Sequence, residues 1–249
     1  MPDPVPNPVP SETPAETPPQ PHEIVAKADL AELALTRSLA LTAQDAQYAA
    51  LMTEQEVAPA DLQQMVTDAN NAEEKLAPAV VVAHTEWRDV SRTERTAFKP
   101  LWTFTISLQG AAKRKFMGND AKLSGYCIAK KGLGDNREVF EKDLQAMLDM
   151  AATDQLKGFP QARLAEGADL LEAWQNADDV QKVAADKLGK ARATFKKMVA
   201  SLKTRRVDLQ LAVNNGKPHT DPDNATVRRA FKIPANRQYR PDVTKEPAV

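Results

Sequence analysis

Between Leu170 and Ala212 the chain repeats one pattern without a break, and that pattern leaves little choice of fold. Leu170, Trp174, Ala177, Gln181, Ala184, Leu188, Ala191, Phe195, Met198, Leu202, Arg205, Leu209 and Ala212 follow one another at alternating steps of four and three. Such steps place side chains on one stripe of an α-helix, and a stripe that long needs a neighbouring helix to cover it. The spacing predicts a helix over 161–213, about 80 Å long at the rise of an α-helix. Asn214-Asn215-Gly216 reads as a left-handed cap behind it.

A second stripe runs upstream. Leu62, Met65, Ala69, Ala72, Leu76 and Ala79 begin it, and Val80, Ala83, Trp87, Val90, Ala97, Leu101, Phe104 and Leu108 continue it. The register slips by one residue close to Pro78, where a missing backbone donor predicts a kink, and Pro100 predicts a second bend. This helix ends near Lys115. A third pattern over residues 23–54 predicts an earlier helix without interruption, since no Gly or Pro falls inside it. Asp135-Asn136 starts a shorter helix of about five turns with Phe140, Leu144, Met147 and Ala151 on one face, running to the exit at Gly158-Phe159-Pro160. Residues 116–136, with four of the nine glycines, form an irregular tip that leaves room for a short strand or helical turn at Tyr126–Ala129.

Charge orders these pieces. The net charge is −10 over residues 1–75, +6 over 76–132, −7 over 133–186 and +10 over 187–249. Set antiparallel, the two long helices bring each acidic half beside a basic half; set parallel, they bring like charges together. The first helix, being acidic, belongs against the basic half of the last. The expected fold is all-α: an elongated antiparallel bundle of three or four helices, two of them coiled-coil-like and roughly 50 residues long. Residues 22–215 make the bundle. Residues 1–21, with nine of the 18 prolines, make a Pro-rich disordered tail, and 216–249 a basic C-terminal extension with one short helical turn.

The most concentrated chemistry is a run of eight cations with no acid among them: Lys187, Lys190, Arg192, Lys196, Lys197, Lys203, Arg205 and Arg206, followed by Arg228, Arg229, Lys232, Arg237 and Arg240. They are either counter-charges for the acidic helices or contacts to a polyanion or partner. The three histidines lie far apart, and His84 has no second His or Cys at ligand spacing, so no metal site is expected. Lys131-Gly132-Leu133-Gly134-Asp135 is too short for a phosphate loop, and Cys127, the single cysteine, reads as a small buried residue. No catalytic constellation emerges and no cofactor is called for. The expectation is a non-enzymatic structural or protein-interaction helical bundle, with a protein partner or self-association. Polyanion (nucleic-acid) binding through the basic half of the last helix and the C-terminal tail is the alternative. Without a signal peptide or an apolar run of about 18 residues, a cytoplasmic location and no membrane contact are expected.

Overall fold

The computed structural model describes residues 24–128 and 136–241. The Pro-rich segment 1–21, the glycine loop at Lys131–Asp135 and the last eight residues lie outside the described residues. Helix follows helix: α1 (Lys27–Ala43), a 3-10 turn (Ala46–Tyr48), α2 (Ala49–Glu54), α3 (Pro59–Asn71), a π-helical turn (Ala72–Leu76), α4 (Ala77–Lys115), α5 (Asp120–Gly125), α6 (Arg137–Asp154), α7 (Gln161–Gly216), a 3-10 turn (Pro222–Asn224) and α8 (Ala225–Ala230). The described residues contain no strand. The all-α expectation holds. The chain divides into two compact units, one holding the described residues up to Val81 together with those from Lys196 on, the other Val82–Phe195. Helices α4 and α7 contribute to both.

In the first unit α1 packs on α3, and the ion pair of Arg37 with Glu73 lies along that seam. Leu62, Met65 and Ala69 of α3 and Leu202 and Leu209 of α7 are all buried in this unit. Full burial of a Leu or Met side chain is worth about 1.5–3 kcal/mol, so this apolar core is what holds the helices together. Arg205 of α7 reaches Asp68 of α3 at 2.7 Å, while Lys196 and Arg206 pair with Asp29 and Glu32 of α1. The first helix therefore does lie on the basic half of the last one, through its acids Asp29 and Glu32. Beyond α7 the chain folds back: Phe231 and Ile233 are buried, and the Phe231 ring meets Tyr48 edge-on at 5.2 Å.

That fold-back hangs on Arg228, which is fully buried with no carboxylate paired to it among the described residues. Its guanidinium donates to the carbonyls of Pro234 (2.7 Å), Lys217 (2.6 Å) and Arg237 (2.9 Å) and to the side-chain oxygen of Asn214 (3.0 Å). Burial draws its pKa down. Four oxygen acceptors replace the water that a buried cation has lost.

In the second unit α4 from Val82, α6 and α7 up to Phe195 enclose Leu101, Phe104, Leu108, Leu144, Met147 and Trp174. Contacts rise along one long helix as they fall along the other: Glu86 with Lys187, Ser91 with Gln181 at 3.5 Å, Glu94 with Trp174 at 2.7 Å. The helices are antiparallel, as the charge blocks require. At Gly167 the Phe104 ring of α4 packs directly on the α7 backbone, so that an added methyl group would overlap it. After α4, Tyr126 and Cys127 are both buried, and the Gln109 amide donates to the Tyr126 carbonyl at 3.0 Å.

Five details differ from expectation. The helix expected over 23–54 is broken, because the Asp45 side chain accepts from the Gln47 N–H at 3.2 Å and starts a new turn without needing Gly or Pro. The register slip near Pro78 is located in the π turn at Ala72–Leu76, whose wider turn takes up the extra residue just before the proline. Pro100 stands exposed inside an unbroken α4. Helix α6 stops at Asp154, four residues early, with Gln155 left-handed at φ 49°. Gly216 is a helical residue, not a left-handed cap; a side chain there would collide with Leu51 and Gln55.

Candidate functional site

The eight basic residues singled out in the sequence do not act as one group. Lys187 pairs with Glu86 in the second unit, and Lys196, Arg205 and Arg206 pair with Asp29, Asp68 and Glu32 in the first. Arg205 also donates to the Asp61 carbonyl at 2.9 Å, so this charge on the apolar stripe ties α7 to α3. Lys190, Arg192 and Lys197 are exposed on α7, and Lys203 is half-buried. Half of the run is thus used in joining helices.

Lys203 and Arg206 help to line a hollow of about 350 Å³ in the first unit, together with Glu32, Leu35, Val207, Gln210, Lys232, Tyr239 and Arg240. A hydrogen-bonded chain builds its floor. Arg206 takes both oxygens of Glu32 and donates to the side-chain oxygen of Gln210 at 2.6 Å. Gln210 is buried; its amide donates to the Phe231 carbonyl at 2.9 Å, and its oxygen also accepts from the Tyr239 hydroxyl at 2.7 Å. One wall comes from the end of α8. There the Ile233 and Lys232 amides donate to the Arg228 and Arg229 carbonyls, each at 3.0 Å, and Lys232 takes a left-handed φ of 56°. This is the Schellman ending, with a lysine where glycine is usual.

The second unit presents a different surface. Arg95, Lys99, Trp102, Ile106 and Lys113 lie on one face of α4, at steps of four, three, four and seven, and all are exposed. Trp102 is 42% and Ile106 47% exposed. The indole is nonetheless held, with Phe98 at 5.9 Å and Phe140 at 6.1 Å between ring centres. Beside it is a shallow, mainly apolar cleft of about 410 Å³ lined by Phe98, Lys99, Trp102 and Thr103. A large apolar group fixed at the surface and flanked by charge marks a contact site more often than a stray exposed side chain does.

Behind this face is a buried polar cluster. The Trp174 indole N–H donates to Glu94 at 2.7 Å, Arg137 bridges Glu94 (3.0 Å) and Asp178, and Lys182 adds a second partner for Asp178 at 2.8 Å. Arg137 also sits 6.0 Å from the centre of the Trp174 ring. Asn136 caps α6 by accepting from the Glu138 N–H at 2.9 Å, which places Arg137 at the helix start. Two carboxylates sunk between helices are thereby matched by two cations.

Comparison with protein-family models, with curated proteins and with solved structures returned no match. The reading of the site rests on its own geometry.

His84 is half-buried near Trp87, Arg88 and Arg192; burial first, then the two guanidinium groups, hold its pKa below the ordinary value. Cys127 is buried as expected, with a left-handed φ of 54°. The Tyr126 hydroxyl donates to Asp154 at 3.0 Å, and burial followed by that carboxylate pushes its pKa far up. The hydrogen bond from Lys122 is the main reason the Asp154 pKa is low. Among the described residues no three His, Cys, Asp or Glu side chains gather as metal ligands would, and no helix is long and apolar enough to cross a membrane.

Sequence reading passed over Trp102, Ile106 and Tyr239. The first two had a signal, a second helical stripe opposite the Leu101–Leu108 seam. Tyr239 had none, because its place depends on the fold-back around Arg228.

Proposed function

We propose that this protein is a non-enzymatic, cytoplasmic helical-bundle interaction protein, and that the Trp102–Ile106 face of α4 is where its second unit meets a protein partner. The observation that carries this reading is the pinned, half-exposed Trp102 with Ile106 one turn away, set between Arg95, Lys99 and Lys113. Tryptophan held rigidly at a surface loses little conformational freedom on binding and buries a large area, which is why it dominates contact energies. The cations on the same face select a partner segment of opposite sign, and an acidic amphipathic helix fits both features. A photo-crosslinking side chain at Ile106, introduced in the producing cell, tests this. The expected result is a discrete protein adduct that disappears when Trp102 becomes Ala and is absent from the same probe at exposed Asp179. Equal labelling at both positions, or labelling indifferent to Trp102, would rule the reading out.

The exposure of Lys190, Arg192 and Lys197 favours a second reading, contact with a polyanion along α7. It requires salt-sensitive binding of duplex or single-stranded nucleic acid that weakens when these three become Gln.

A further inference from the structure

The Trp102 face and the chain's own first residues have complementary chemistry. Residues 1–21 hold nine prolines, three acids (Asp3, Glu12 and Glu16) and neither Lys nor Arg. Between Arg92 and Lys115, α4 exposes Arg92, Arg95, Lys99, Lys113, Arg114 and Lys115, while Glu94, the acid of that stretch, is buried. Residues 129–135, outside the described ones, add Lys130 and Lys131 against Asp135 and do not reverse the sign. A surface of one sign selects a segment of the other, and here the same sequence supplies both.

The apolar part of the match is aromatic. Proline-rich segments dock on aromatic-lined grooves, because a polyproline helix is already extended and loses little freedom on binding. The Phe98 and Phe140 rings incline to the Trp102 indole by 31° and 30°, and the cleft of Phe98, Lys99, Trp102 and Thr103 beside it is mainly apolar. With three residues per turn, a polyproline helix of this sequence sets Pro18 and Pro21 on one ridge and Glu16 with Pro19 on the next. A proline ridge then meets the indole while the neighbouring acid meets Lys99. The 23 residues ahead of Ile24 span up to about 70 Å in that form, enough to reach from one molecule to another. We propose that the partner at the Trp102 face is a second copy of this chain, which lays its Pro-rich acidic segment across the Phe98–Trp102 cleft. This rests on the reading that the face binds a protein, and it names that protein. An extended acidic segment meets the two demands of the face, apolar contact and negative charge, as an amphipathic helix would.

The test uses the purified full chain with a photo-crosslinking side chain at Ile106, as an equal mixture of isotope-labelled and unlabelled copies at about 100 µM, where a weak contact of this kind is populated. The captured peptides are expected to fall within residues 1–21, and to join a labelled to an unlabelled copy as often as two alike. Glu12→Lys combined with Glu16→Lys is expected to lower the yield about fivefold or more, with an unchanged melting temperature, and high salt to lower it too. Excess synthetic peptide of residues 1–21 should compete, and the same peptide carrying both lysines should not; this arm leaves the folded helices untouched. Four results would overturn the proposal: no adduct, capture between like-labelled ends only (docking within one chain), capture of any other stretch of the sequence, or a yield indifferent to the charge reversals. An Ile106 probe in the producing cell that captures a different protein and never this chain would also overturn it, yet leave the reading of the face standing. A yield indifferent to Trp102 would remove both.

Discussion

His84 is the residue at which acid should first act on the second unit. Burial, Arg192 and Arg88 all disfavour its charged form, so its pKa in the folded chain lies below that of an unfolded histidine. Its contribution to stability is then complete above the unfolded value of about 6.5 and is lost as pH falls through the lower folded value. Chemical denaturation should show the native chain losing stability between pH 7.5 and 5, and His84→Gln losing distinctly less over the same interval. Identical slopes would mean that the histidine is not the group responsible. None of this was legible in the sequence. His84 was visible as a helix residue near Trp87, but the guanidinium of Arg192 lies more than a hundred positions away and arrives only by helix pairing. The same holds for Lys232, whose left-handed backbone follows from how α8 ends.

At the scale of helices, the two long apolar stripes were readable because periodicity is local, and the structure keeps them: Trp174, Leu188, Phe195, Leu202 and Leu209 are buried where the spacing puts them. What spacing alone missed were the interruptions, since these depend on single polar atoms. Asp45 restarts a helix with one side-chain oxygen, and the π turn at Ala72–Leu76 hides its extra residue inside an unbroken run. Arg137 is the strongest case of an element fixed by a polar group. It joins the start of α6 to Glu94 of α4 and Asp178 of α7, whose carboxylates are both buried. Arg137→Met removes the shared cation and leaves two poorly compensated charges, a change that typically costs about 3–5 kcal/mol when a buried pair is broken. Amide exchange should then report early opening of α6 relative to the variant Lys182→Met, whose amine is mostly exposed. Equal effects of the two would show that Arg137 is a surface charge only.

For the molecule as a whole, the alternating charge blocks were the feature of the sequence that best anticipated the fold, because they forced an orientation that hydrophobic spacing leaves open. The division into two units was not foreseen, since both long helices run through it without a break in helix, although the register slip near Pro78 falls only a few residues before Val81. The blocks also governed the reading of the basic run, whose ion-paired members serve the bundle before they serve any ligand. That the basic half of α7 is the internal counter-charge of the acidic helices is tested most directly by a charge exchange at Asp68 and Arg205, paired at 2.7 Å and both less than a third exposed. Asp68→Arg and Arg205→Asp should each destabilise the chain, and the double exchange should restore most of the loss, giving a coupling of about 1 kcal/mol that shrinks in high salt. Additive losses in the double variant, with no dependence on salt, would contradict it.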